Sequence, residues 1–107
     1  MNKEKLLGRF YFNCTSSGNL IGEFSNNISP DVFTESANLI KKDKGPFIGT
    51  YISIWQEDKV PRVANLTIGY KFSKNNKIYL LEWTGKENYS GEGMLMGDIL
   101  IGNYSNA

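Results

Sequence analysis

Period-two alternation of apolar and polar positions dominates the chain and predicts short β-strands separated by clusters of Gly, Asn, Ser and Lys. Over residues 8–14, Phe10, Phe12 and Cys14 alternate with Arg9, Tyr11 and Asn13. The cluster Thr15-Ser16-Ser17-Gly18-Asn19 then turns the chain, and Leu20, Gly22 and Phe24 mark a returning strand. Residues 50–56 and 63–72 are the clearest strands. In the second, Ala64, Leu66, Ile68, Tyr70 and Phe72 share one face, while Val63, Asn65, Thr67, Gly69 and Lys71 share the other. Residues 74–77 read as a turn and 78–83 as the next strand. The tail, 91–104, carries four glycines among apolar residues, which fits short strands with bulges or tight bends.

Residues 28–45 support two readings. Ser29 suits an N-cap, Pro30 a first helical position and Asp31 the positive end of a helix dipole. Val32, Phe33, Ala37, Leu39 and Ile40 then fall roughly on one helical face, Lys41 and Lys42 suit a helix C-terminus, and Gly45-Pro46 is a stop. Yet Phe33, Glu35, Ala37 and Leu39 also alternate as a strand would. The expectation is a short helical start near 30–42 followed by a strand, with a full strand as the alternative.

Seven or eight short strands joined by hairpin-length connections predict a mainly β fold, a small antiparallel up-and-down barrel formed by one domain over 1–107. Glycines recurring within the strands (Gly8, Gly22, Gly49, Gly69, Gly97, Gly102) favour a barrel over a sandwich, because the strands of a small barrel must coil strongly.

Composition then narrows the chemistry. The chain has 107 residues with no histidine and one cysteine, Cys14. That removes His-based metal sites, His-activated nucleophiles, an imidazole proton shuttle and an internal disulfide. No Asp-rich calcium loop is present, so no metal and no cofactor are expected. Twelve basic and eleven acidic residues leave a net charge of +1, which offers no pull on nucleic acid or an anionic membrane. No stretch approaches the ~20 apolar residues of a membrane-spanning helix. Leu6-Leu7 is too short for a signal sequence, so a cytoplasmic location is the default expectation, with a mature secreted form as the alternative. Cys14 is expected to be a buried, inert thiol.

Gly8-Arg9-Phe10 resembles the opening Gly-x-aromatic strand of the calycin superfamily, which includes lipocalins, fatty-acid-binding proteins and the avidin–streptavidin group. Residues 49–55, Tyr79-Leu80-Leu81-Glu82-Trp83 and Gly91-Glu92-Gly93 are similar in rhythm to the small members of that group. The resemblance spans most of the chain and lies in strand rhythm and aromatic placement. Phe10 stands where lipocalins carry tryptophan, a Thr-Asp-x-Tyr motif is absent, and the avidin set of biotin contacts has no match here. The resemblance therefore implies a calycin-like barrel able to hold an internal cavity, and does not imply biotin.

Placing Gln56 and Glu82 outside, since a lone buried charge is costly, turns Tyr51, Ser53, Trp55, Tyr70, Tyr79 and Trp83 inward. Leu66 and Phe72 point the same way, and Phe10, Phe12 and Phe24 close one end. Such a lining is apolar with a few polar handles and suits binding of a small apolar or aromatic molecule. In a barrel this small the same aromatics also serve simply as filling. The expected function is non-catalytic ligand binding in the interior; the alternative is an inhibitor- or immunity-type protein-interaction module with a filled barrel. An enzyme ranks last; a carboxylate deep inside the barrel with a raised pKa would revive it, and Glu82 is the one to check. The same assignment sets Ile52, Ile54, Ile78, Leu80, Ile99 and Ile101 outside, which predicts a homo-oligomer through an aliphatic wall unless a 30–42 helix covers it.

Overall fold

A computed structural model describes residues 5–71 and 77–106. Eight antiparallel strands, each hydrogen-bonded to its sequence neighbours, close into an up-and-down barrel when β8 pairs with β1. They are β1 (Leu7–Cys14), β2 (Leu20–Asn26), β3 (Phe33–Lys42), β4 (Gly49–Glu57), β5 (Val60–Tyr70), β6 (Tyr79–Gly85), β7 (Tyr89–Met96) and β8 (Ile99–Asn106). Closure leaves no open sheet edge, which removes the hazard that eight short strands would otherwise present. The expected positions Phe72 and 74–76 lie outside the described residues.

The helical start expected near 30–42 does not form. Ser29 Oγ does accept a hydrogen bond from the Asp31 amide at 3.3 Å, as a cap would, but the turn goes no further. Instead Phe33–Lys42 pairs with β2 on one side and β4 on the other. A helix here would leave both neighbours with an unpaired edge, so the ladder outweighs the local capping signals. Asn26 makes the β2–β3 bend, its Oδ1 accepting from the Ile28 and Ser29 amides at 3.0 Å each. Near the end of β3 the register shifts between Leu39 and Lys41, and Ile40 is left exposed.

Other connections are tight. Asp58 and Lys59 both take positive φ (50° and 67°) between the paired residues Glu57 and Val60, the geometry of a type I′ hairpin. Strand coiling depends on glycine where chains pass closest. A Cβ on Gly22 would lie 1.8 Å from the Tyr11 carbonyl oxygen, and one on Gly102 1.9 Å from that of Glu92. No Cβ can occupy such a position without parting the strands.

The barrel interior is the core. Phe12, Leu20, Ala37, Ser53, Leu66, Leu81 and Leu100 form its fully enclosed middle. One end is plugged: the 43–48 connection turns Phe47 inward, with φ +66°, and the Tyr51 hydroxyl donates to its carbonyl at 2.8 Å. The other end, bounded by the β2–β3, β4–β5 and β6–β7 connections, is the mouth. Cys14, expected to be buried, is exposed, because β1 ends there and its alternation passes out of the barrel.

Of the aliphatic residues expected outside, Ile78 precedes β6 and is half-buried, and the others divide among three strands that never pair with each other. Ile52 and Ile54 on β4 face Asn65 and Val63 on β5; Leu80 on β6 lies between Gly69 and Glu92; Ile99 and Ile101 on β8 adjoin Met96 and Met94. Among the described residues there is no helix to cover them.

Candidate functional site

Alternation along β4 sends Ser53, Trp55 and Glu57 successively toward the lumen, rising to the mouth. On the adjoining β3, Glu35 lies opposite Trp55 and shares the inward face with Phe33 and Ala37. Glu35 is therefore buried, at 6% exposure, in a barrel whose interior is otherwise mostly apolar, with Ser53 the other buried polar residue among those described. One of its oxygens is tied down. Oε2 accepts a hydrogen bond from the Ser53 hydroxyl beneath it and another from Trp83 Nε1 at 2.9 Å, across the lumen from β6. Oε1 accepts none from a described residue. Among the described residues no fully enclosed side-chain oxygen lacks a partner, so Oε1 reaches open space.

That space is a funnel walled by the rings of Phe10, Phe24, Trp55, Trp83, Tyr89 and Tyr104, with Glu35 at depth and Glu57 and Leu6 also lining it. The rings interlock: Phe10 with Trp83 at 5.7 Å, Phe24 with Trp55 at 6.3 Å and with Tyr104 at 6.0 Å, and Trp55 with Tyr89 at 6.3 Å, all edge-to-face. The volume open to the centre of a water-sized sphere is about 20 Å³, inside a funnel of about 350 Å³ counted with its open mouth. About 10–15 Å³ on that measure suffices for one water, so the funnel admits a group of a few atoms at most between its walls. Trp55 and Tyr89 also wall a second hollow of about 180 Å³ at the rim, where Arg62, Lys86 and Glu87 supply charge.

Electrostatics at the chamber are one-sided. Burial pushes the Glu35 carboxyl up to about 7; the Ser53 and Trp83 hydrogen bonds pull the other way, and the Glu57 charge adds to the rise. Trp55 Nε1 donates to Glu57 Oε1 at 2.8 Å and holds that second carboxylate near the mouth. Burial also pushes the Tyr104 phenol up to about 12, against the hydrogen bond it accepts from Asn26 Nδ2 at 3.2 Å. Tyr89 is raised as well, by burial first and then by its hydrogen bond to Glu87 Oε2 at 2.7 Å. Among the described residues no Lys or Arg pairs with Glu35 or Glu57, and none lines the funnel. No cluster of three or more metal-ligating side chains occurs there either.

The six residues expected to line a pocket separate into two groups. Trp55 and Trp83 wall the funnel, and Ser53 lies under its carboxylate. Tyr51, Tyr70 and Tyr79 sit at the plugged end, where Tyr51 holds Phe47 and the rings of Tyr70 and Tyr79 pack 5.3 Å apart at 45°. The sequence reading missed Glu35, Glu57, Tyr89 and Tyr104 as lining residues. The signal for Glu35 was present: it is in phase with Phe33, Ala37 and Leu39, so a strand there puts a carboxylate on the apolar face. Glu82, singled out instead, is exposed on the outer wall.

No protein-family model, no curated protein and no solved structure matches this chain significantly.

Proposed function

We propose that this barrel binds a small molecule at its mouth without transforming it. The observation that carries this reading is the buried Glu35 carboxylate with one oxygen held by Ser53 and Trp83 and the other open to an aromatic funnel. Oε1 faces space large enough for a water, and a bound donor that replaces solvent there makes its hydrogen bond in low-dielectric surroundings, where it is electrostatically stronger. Six aromatic rings add the apolar contact and fixed orientation typical of ligand pockets. The up-and-down eight-strand closure supports a calycin-type reading, in which the mouth is the ligand end. Glu35 is the kind of buried carboxylate with a raised pKa that would favour an enzyme, but Ser53, which donates to it, is fully buried beneath it and presents no nucleophile to the funnel, so binding is the reading favoured over catalysis.

Tryptophan emission tests this directly, since both tryptophans wall the funnel. Titration with small aromatic and aliphatic probes should give a saturable shift in emission, with a rise in melting temperature. Saturable binding that leaves emission untouched would put the ligand elsewhere.

Self-association is a second reading, and its occupant is another copy of this chain. Ile54 and Val63, paired across β4 and β5, are 41% and 59% exposed, and this apolar pair on the outer wall supports it.

A further inference from the structure

We infer that the ligand of the funnel is a primary organic ammonium, its –NH3+ group seated on Glu35 and its substituent directed out through the mouth. This rests on the small-molecule reading above and assigns the chemical class.

Charge is the first argument. Two carboxylates, Glu35 and Glu57, line the funnel, and among the described residues no cationic side chain lines it with them. An anionic ligand would meet two like charges in a desolvated site, and a neutral one would leave Glu35 without a counter-charge. A cation supplies that charge.

The walls are the second argument. The chamber is enclosed by faces and edges of Phe10, Phe24, Trp55, Trp83, Tyr89 and Tyr104. Aromatic faces attract cations through their quadrupole, most strongly where water is excluded. A buried carboxylate beneath a ring cage therefore selects an organic cation over a hydrated metal ion, which would need several more oxygen ligands than this cage offers.

Size decides the substitution on nitrogen. The funnel as a whole leaves about 20 Å³ for centres of water-sized groups, so the space at Glu35 is smaller still. An –NH3+ group is of that size, and it brings three donors, one of them for Glu35 Oε1. A trimethylammonium group is several times larger and has no donor for Oε1. The substituent then lies among Trp55 and Tyr89, which also border the rim hollow.

Such a ligand needs Glu35 ionised and the amine protonated. The ionisable groups facing Glu35 are Glu57 from β4, Tyr89 from β7 and Tyr104 from β8; both phenols stay neutral across the relevant range, because burial raises them. Affinity should therefore climb as pH rises through the Glu35 titration and fall again only near pH ~10, where alkylammonium groups lose their proton.

The test uses the full chain, with 2-phenylethylammonium, its N,N,N-trimethyl analogue, 2-phenylethanol and 3-phenylpropionate as probes, followed calorimetrically and by tryptophan emission at pH 8. The expected result is that 2-phenylethylammonium binds at least tenfold tighter than each of the others and that Glu35→Gln removes this margin. A second expectation needs no variant: the wild-type affinity for 2-phenylethylammonium drops about tenfold from pH 8 to pH 6, with proton release on binding at pH 6. Equal or tighter binding of the alcohol or the carboxylate would overturn the cation assignment and leave the small-molecule reading standing. Tighter binding of the trimethyl analogue would overturn the primary-amine assignment. No saturable binding of any probe would overturn both.

Discussion

Trp83 Nε1 donates to Glu35 Oε2 at 2.9 Å across the lumen, joining residues 48 apart in sequence and three strands apart in the sheet. Neighbouring-strand pairing cannot bring these two together; only closure of the barrel does. The contact therefore couples the polar centre of the mouth to the integrity of the whole sheet.

That coupling gives the protein an unusual pH profile. The Glu35 carboxyl rises from 4.5 to about 7 on folding because burial disfavours its charged form. Between those values the folded state holds a proton that the unfolded state has released, so stability contributed by this group is full below about pH 4.5 and is lost as pH rises through about 7. The loss amounts to about 3 kcal/mol between pH 4 and pH 8. Urea unfolding at a series of pH values should show wild-type stability falling over this range, and Glu35→Gln should flatten that slope. An unchanged slope in the variant would place the titration elsewhere.

Removing either donor to Oε2 should move Glu35 further upward, since both hydrogen bonds favour its ionised form. Ser53→Ala and Trp83→Phe each delete one donor, and each should cost about 1–3 kcal/mol at pH 8, where the carboxylate is charged. At pH 5 the carboxyl is protonated and the penalty should shrink. Carbon-13 titration of the Glu35 carboxyl measures the shift directly; a lowered value in Ser53→Ala would contradict the assigned donor role.

Most of the barrel was readable because period-two alternation states both the element and its buried face. Phe10, Phe12, Leu66 and Trp83 needed no further information to be placed inside. Within 30–42 the strand part was legible and only the helical start failed, because Ser29, Pro30 and Asp31 signal a helix start locally, whereas the paired edges of β2 and β4 that overrule them come from distant sequence. The site was half legible for a related reason. Trp55 and Trp83 follow from alternation, but the rule that carboxylates face water hid Glu35, whose burial depends on donors from β4 and β6. Nor could alternation say which end is plugged: Phe47 turns inward at a positive φ that no strand pattern signals.

If the outer wall associates with a second copy, Ile54 and Val63 belong to its centre. Light scattering at high protein concentration should then give a mass above one chain, and Val63→Lys should return it to one chain by setting a charge in the contact. Because Val63 is 59% exposed, that substitution should leave the melting temperature of the separated chain within a few degrees of wild type. A wild-type mass equal to one chain at every concentration would remove this reading and leave the mouth untouched.

The closest strand approaches predict opposite outcomes for the same substitution at different glycines. At Gly22 a methyl group would fall 1.8 Å from the Tyr11 carbonyl oxygen, and at Gly102 1.9 Å from that of Glu92; backbone lies in the way at both, so no side chain can rotate aside. Gly22→Ala and Gly102→Ala should each destabilise by at least about 1–3 kcal/mol through forced separation of paired strands. Gly69 has nothing within 4 Å of an added Cβ. Gly69→Ala should be neutral or stabilise by about 0.5–1 kcal/mol, because it restricts the unfolded chain without crowding the folded one. Urea midpoints of the three variants, compared at one pH, check the contrast. Equal losses at all three positions would mean that glycine flexibility, rather than strand proximity, governs the coiling of this barrel.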